Sequence, residues 1–305
     1  MEMRCAVIIP CFNEEVTIGK VIQDVGTVLP HADIYVFDNN STDRTVQIAE
    51  EAGVTVLREK RQGKGFVVQS MFSRVDADVY VMVDGDDTYD LQRLPEMVGM
   101  VERDEADMVV GGRLSNFTDK SFRPLHTFGN RLVVGLINRF FGGNLTDVMS
   151  GMRVMSRDFV KNINITSSGF EVETEMTIKA LKHSNVIREV IISYKERPEG
   201  SFSKLNTFSD GILVLRTIFM IFKDYKPLLF FTALSLVFLA LSLASGSVVI
   251  NEFLETRFIR RVPLAILASG MMVLSMIFFI TGVILDCTNR RFDELYHFVR
   301  MRGTR

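Results

Sequence analysis

The 305-residue sequence has no tryptophan, only three cysteines, and a formal net charge of -2 from 35 basic and 37 acidic side chains. That near-balance removes the long-range pull on which nucleic-acid binders depend, so nucleic acid is not an expected partner. Cys5, Cys11 and Cys287 lack metal-ligand spacing and read as reduced packing residues of a cytosolic compartment. No internal repeat and no low-complexity linker divides the chain. Residues 1–4 lead straight into a strand-like stretch, so no secretory signal peptide is expected.

What is present is concentrated at the far end. Residues 228–250 and 262–285 form two apolar runs without a single Asp, Glu, Lys or Arg. A hydrocarbon core of about 30 Å needs roughly 20 helical residues, so each run is long enough to span, and a short connection makes them a hairpin. Lys223, Lys226, Arg290, Arg291, Arg300, Arg302 and Arg305 flank the hairpin on the side of the termini, against Arg257, Arg260 and Arg261 in the connection. This asymmetry predicts two spans with the large N-terminal part and both termini in the cytoplasm. A catalytic part tied to a membrane makes lipid-linked substrates the first to consider. Residues 209–223, apolar nearly all round with Arg216 and Lys223 at one edge, suit an interfacial helix.

Ahead of the runs, β-branched stretches at 5–10, 34–38, 54–58, 79–84 and 108–111 read as strands. They alternate with helical patterns at 15–28, 43–52, 64–75 and 91–103. The alternation predicts an α/β domain with a mostly parallel sheet covered on both faces, whose ligands bind at the carboxyl ends of the strands. Those ends carry Pro10-Cys11-Phe12-Asn13-Glu14, Asp38-Asn39-Asn40-Ser41 and Asp84-Gly85-Asp86-Asp87. Carboxylates at i and i+2 beside a glycine can converge on a hard divalent cation, Mg²⁺ or Mn²⁺, that also holds a diphosphate. Alternatively, such aspartates cap the following helix. Lys64 between Gly63 and Gly65 at a helix start could approach phosphate, or could belong to an ordinary loop.

In this order the motifs resemble the GT-A catalytic domain of glycosyltransferase family 2, over residues 8–204. The architecture with its hairpin is similar to the polyprenyl-phosphate glycosyltransferases related to dolichol-phosphate mannose synthase and the bactoprenol glucosyltransferases. The resemblance implies that Pro10, Asn13, Glu14, Asp38, Lys64, Asp84 and Gly85 bind nucleotide, and that Asp84 and Asp86 hold the metal, Asp86 more directly. It places Arg113 of Gly111-Gly112-Arg113 at the acceptor phosphate, with Arg123, Asn130 and Arg131 toward lipid. Ser150 and Gly151 of the Asp147–Arg153 element, with Glu173, would face the sugar. Arg197, Ser203 and Lys204 would belong to a loop closing over diphosphate, and Asp86, Arg113, Arg197 and Lys204 would carry catalysis. Thr88 stands where relatives often carry a glutamine ligand, and Asp38-Asn39-Asn40-Ser41 lacks the second acid of the usual nucleotide motif.

The expected organisation is a GT-A domain at 1–208, an interfacial helix at 209–227, two spans within 228–285 and a basic cytoplasmic tail at 286–305. The expected activity is inverting transfer of a sugar from a nucleotide-sugar donor, UDP-glucose first, to polyprenyl phosphate, with Mg²⁺ or Mn²⁺ as cofactor. Membrane lipids, a flippase for the product and a second copy of the chain are the expected partners. Three alternatives stay open: a hydroxyl-acceptor transferase with Glu171, Glu173 or Glu175 as base, a GDP-mannose-using mannose synthase, and an inactive nucleotide-sugar-binding scaffold.

Overall fold

The computed structural model describes residues 3–113, 124–195, 197–198, 216 and 219–303; for 124–130, 221, 296–297 and 299–303 it describes the backbone alone. The chain forms two compact units, Met1–Val214 and Leu215–Arg305.

In the first unit, β1 (Cys5–Cys11), β2 (Asp33–Asp38), β3 (Thr55–Arg58), β4 (Val79–Met82) and β5 (Met108–Arg113) alternate with α1 (Ile18–Val28), α2 (Thr45–Glu51), α3 (Lys64–Arg74) and α4 (Leu94–Glu102). Then come α5 (Pro124–Phe141), β6 (Arg153–Ser156), α6 (Arg157–Asn162), α7 (Val172–Lys182) and β7 (Ile187–Ile192). The seven strands are ordered β3-β2-β1-β4-β6-β5-β7. β1 is apolar and buried along nearly its whole length because helices cover both sides of it. Val7, Ile9 and Cys11 face the core made with α1 and α4, while Ala6 and Ile8 face the core made with α3, α6 and α7.

Two features of this topology make the site. The chain builds outward from β1 to β2 and β3, then returns to place β4 on the other side of β1, so the order reverses between β1 and β4. A crevice opens at the carboxyl ends of strands where that reversal occurs. The second feature is β6, which runs antiparallel to both β4 and β5, with Arg153 opposite Met82 and Val110. A reversed strand begins at the edge where its neighbours end, so residues 147–152 are delivered to the crevice. The five anticipated strands and four helices of 5–103 and beyond are present. β6, α6 and β7 lie outside the stretches that the sequence pattern assigns to strands or helices.

In the second unit, a π-helical turn at Ile221–Tyr225 precedes α8 (Pro227–Thr256) and α9 (Val262–Gly303). Most of the predicted interfacial segment, 209–223, lies outside the described residues. Arg257 closes α8 in the left-handed region at φ 56°, its N–H donating to the Phe253 carbonyl. Both helices are long and apolar enough to cross a membrane, and only 11% of each apolar window is buried, unlike the core helix of a soluble protein. They fit a membrane protein. Where they meet, aromatic packing of Phe231 and Phe238 on Phe278 is joined by hydrogen bonds: Ser275 Oγ donates to the Ser235 carbonyl at 2.9 Å and lies 3.0 Å from Ser235 Oγ, and Ser242 Oγ donates to the Ala268 carbonyl at 2.8 Å. α9 continues as helix through the basic segment anticipated as a tail.

Candidate active site

The loops after β1 and β2 are tied together before they meet any ligand. Asn13 adopts φ 53°, a conformation asparagine tolerates better than most residues. Its N–H donates to Ser41 Oγ at 2.9 Å and its side-chain oxygen accepts from the Thr42 N–H at 2.8 Å. The Glu14 N–H donates to Thr45 Oγ1 at 2.7 Å, and Asp38 accepts from the Ser41 N–H at 3.1 Å. Asn39 fastens a third loop, donating to the Glu59 and Arg61 carbonyls while accepting from the Gly63 N–H at 2.8 Å. Asn13 and Asp38 thus shape the walls. Pro10, Cys11, Phe12, Glu14, Asn39, Lys64, Gly85 and Phe170 are among the residues lining a cavity of about 290 Å³, which Asp84, Asp86 and Arg197 also line.

Opposite charges alternate across that cavity. Lys64 Nζ lies 2.6 Å from Asp84 Oδ1 and 2.6 Å from Glu173 Oε1. Asp84's other oxygen accepts from the Tyr89 hydroxyl at 3.4 Å, and that hydroxyl accepts from the Gly151 N–H at 2.9 Å. Asp86 accepts from the Thr88 hydroxyl at 2.7 Å and faces Arg197 Nη2 at 2.6 Å. Thr88, at the position expected for a ligand in relatives, therefore orients Asp86. Burial and the adjacent charge of Asp84 push Asp86 above the ordinary carboxylate range, with Arg197 opposing them. Burial also raises Glu173 despite Lys64. Lys64 is desolvated, yet its two carboxylate neighbours outweigh that and keep it an ammonium.

The loop ahead of β6 packs behind the cavity, against Asp84 and Tyr89. Arg113 grips Asp147 with two bonds, Nε to Oδ2 at 2.6 Å and Nη2 to Oδ1 at 3.0 Å, and its guanidinium lies over the Tyr194 ring. Burial opposes both charges, but the pairing raises Arg113 and lowers Asp147. Gly151 sits so close to Asp84 that a Cβ there would lie 2.2 Å from its Oδ2. Ser150 is fully buried, its hydroxyl without a hydrogen-bond partner among the described residues. Arg153 points into the core, where it donates to the carbonyls of Ser150 and Val148 and to Thr177 Oγ1.

Of the anticipated site residues, Asn13 and Asp38 brace the loops, and Arg113 and Gly151 lie off the cavity wall beside the loop ahead of β6. Pro10, Glu14, Lys64, Asp84, Gly85, Asp86 and Arg197 share the cavity wall. Ser150 and Glu173 stand behind it, Glu173 turned toward Lys64, and Arg131 is exposed on α5. Arg123, Ser203, Lys204 and the side chain of Asn130 lie outside the described residues. Sequence reasoning singles out Thr88 and Asp147 but not their organising roles, and misses Tyr89 altogether. Tyr89 and Thr88 adjoin the aspartates, which was the available signal; the Asp147 pairing spans 34 residues and has none.

Asp84 and Asp86 bring hard carboxylate oxygens to the cavity wall, the kind of donor that suits a divalent cation. Among the described residues no group of three or more His, Cys, Asp or Glu side chains is arranged to hold an ion. That fits Mg²⁺ or Mn²⁺ bound through one or two carboxylates plus substrate phosphates. The profile of Glycosyl transferase family 2 matches residues 6–163, from β1 through α6. The chain belongs to glycosyl transferase family 2. Family membership makes it a glycosyltransferase. Glycosyltransferase AglJ of Haloferax volcanii is 28% identical to it over 281 residues, covering 92% of each chain. A dolichyl-phosphate hexose transferase of the same organism is 30% identical over 213 residues, 70% of this chain and 91% of that one. Among solved structures, glucosyl-3-phosphoglycerate synthase from Mycobacterium tuberculosis in complex with Mn²⁺ and UDP-glucose superposes with a TM-score of 0.60 at 19% identity. It covers 72% of this chain and 78% of that chain, a likeness of GT-A fold.

Proposed function

We propose that this family-2 enzyme transfers a hexose, glucose from UDP-glucose first, to a polyprenyl phosphate at the cytoplasmic membrane face, with inversion. The observation that carries the reading is the paired carboxylates Asp84 and Asp86, each set against a cation in a cavity at the sheet's reversal point. The dolichyl-phosphate hexose transferase relative and the two membrane-length helices support a lipid-phosphate acceptor. So does the state of the glutamates. Glu173 is taken by Lys64, and Glu175 by Lys179, Thr166 and Ser167, so neither is placed as a general base, which leaves Glu171 of the three candidates. A phosphate acceptor needs none, being already anionic.

In this reading one lipid-phosphate oxygen forms the new bond to the anomeric carbon as the bond from that carbon to the nucleoside diphosphate oxygen breaks. The diphosphate leaves with the electron pair, and no proton moves. A divalent metal, when bound, neutralises charge on the departing diphosphate. Asp86 would be the chain's main ligand for it, with Asp84 beside it. Arg197, at the cavity mouth, exchanges Asp86 for the diphosphate, and Lys204 joins it there. Pro10, Glu14 and Asn39 bound the nucleotide. Arg113, fixed by Asp147 and Tyr194, presents the rest of its guanidinium to the acceptor phosphate. The basic excess beside the termini orients the catalytic unit and both termini toward the cytoplasm. Residues 1–208 form the catalytic domain, 209–227 ride the interface, 228–285 hold the spans and 286–305 lie on the cytoplasmic side. A homo-oligomer and a product flippase complete the proposal.

Membranes containing the enzyme, radiolabelled UDP-glucose and undecaprenyl phosphate provide the test. The expected product is an acid-labile lipid-phosphate sugar that requires Mg²⁺ or Mn²⁺. A base-stable hydroxyl-linked glycolipid would assign the acceptor differently, label only from GDP-mannose would change the donor, and no transfer with intact UDP binding would leave a scaffold.

A further inference from the structure

The Gly-Lys-Gly start of α3 looks designed for phosphate, yet its atoms are committed elsewhere. The Gly63 N–H donates to Asn39 and the Gly65 N–H to the Ser168 carbonyl at 3.1 Å. Gly63 adopts φ 138°, and a Cβ on it would lie 2.2 Å from the Ser168 carbonyl oxygen; one on Gly65 would lie 2.1 Å from that of Ser167. The two glycines are there because the segment before α7 presses on the start of α3. This contact delivers Lys64 to Glu173, on α7, and to Asp84 on the opposite side. Lys64 and Glu173 side chains are 12% and 5% exposed. Asp84 is held at both oxygens, by Lys64 and by Tyr89, and is closed in by Gly151. Asp86 differs: its cationic neighbour, Arg197, is 28% exposed and belongs to the segment after β7.

We infer that Lys64, braced by Glu173, is a positioning residue whose ammonium is a permanent counter-ion for Asp84, so that an incoming divalent metal takes Asp86 as its single protein carboxylate. The pair of aspartates is thereby divided between a fixed internal cation and an exchangeable one. A second free carboxylate would bind metal without nucleotide. Its neutralisation by Lys64 makes metal affinity depend on the diphosphate, so donor and metal arrive and leave together. The inference rests on the nucleotide-sugar reading of the cavity.

The test uses full-length enzyme in detergent, with Mn²⁺ binding followed by electron paramagnetic resonance and UDP binding by calorimetry. Lys64→Met removes the charge, and Lys64→Met/Glu173→Gln does so without stranding a buried carboxylate. Either variant that folds should bind Mn²⁺ about tenfold or more tightly in the absence of UDP, and adding Asp84→Asn should reverse the gain. Metal-free UDP affinity should be unchanged, and kcat should fall more than donor KM rises. Unchanged or weaker Mn²⁺ binding in the double variant overturns the inference, and a matching loss of UDP affinity would make Lys64 a phosphate ligand. Wild-type enzyme that binds neither UDP nor Mn²⁺ with UDP would instead overturn the reading of the cavity.

Discussion

Adding one methyl group at Gly151 tests the geometry of the acid pair most directly. In Gly151→Ala the new Cβ would lie 2.2 Å from Asp84 Oδ2, 2.8 Å from its Cγ and 2.9 Å from Oδ1. Real Cβ atoms essentially never approach below 3.0 Å, so the carboxylate or the loop must shift by about 0.8 Å. Asp84 cannot swing aside freely, because Lys64 holds Oδ1 at 2.6 Å and Tyr89 closes the other oxygen. The loop is also constrained: Gly151's N–H is bonded to Tyr89, and two residues on Arg153 is anchored in the core. A misplacement approaching 1 Å beside the reacting groups costs on the order of 10²-fold in rate, or about 2.7 kcal/mol of transition-state stabilisation. The overpacking should cost about 1–3 kcal/mol of stability, leaving most of the protein folded. Initial rates of lipid-phosphate glycosylation, with thermal melting as the folding control, read both quantities. A folded Gly151→Ala enzyme with activity within a few-fold of wild type would refute the argument, since it would mean Asp84's position does not matter to catalysis.

Asp86→Asn keeps the shape but removes the charge facing the exchangeable cation; activity should fall by about 10³-fold or more and not recover with added Mn²⁺, and recovery in a Mn²⁺ titration would move the metal elsewhere. Arg153→Met strands the Ser150 and Val148 carbonyls and Thr177 in the core, at about 3 kcal/mol and a melting temperature lower by on the order of 10 °C. An unchanged melting temperature with lost UDP affinity would instead put Arg153 in contact with ligand. Glu175 is opposed by burial, but bonds from Lys179, Ser167 and Thr166 outweigh that and hold it below its ordinary value of 4.5. A carboxylate depressed in the folded state stabilises the fold above its unfolded pKa and loses that contribution as pH falls through the folded one. The stability gap between wild type and Glu175→Gln in denaturant titrations should therefore be constant from about pH 8 to 5 and close below about 4.5. A gap that widens on acidification would show the opposite sign.

The parts of this molecule legible in its sequence are those whose cause is local. Strand and helix identity through residue 113 follows from periodicity, and the site's location follows from polar residues clustering where those strands end. Asp84 and Asp86 were visible because their spacing is short. Lys64 was visible as a cation beside glycines, but its purpose was not: its partners are 20 and 109 positions away, and only the sheet order brings β4 and α7 to the start of α3. The glycines suggested room for a phosphate, whereas the backbone they make room for is that of Ser167 and Ser168. Arg153 illustrates the same limit. Nothing in a run of seven residues ending in arginine distinguishes a side chain that meets ligand from one enclosed by its own loop's carbonyls, because that choice is made by the reversed direction of β6.

The serine contacts between α8 and α9 bear on how this chain can be re-engineered. Among the described residues, the hydroxyls of Ser235, Ser242 and Ser275 find their acceptors in the partner helix, in surroundings where lipid offers none. Each helix is thus a key cut for the other, and the anchor is inherited as a unit. A chimera that borrows one helix from a relative leaves a hydroxyl without its matched acceptor, whereas one that exchanges residues 227–303 together keeps these contacts intact.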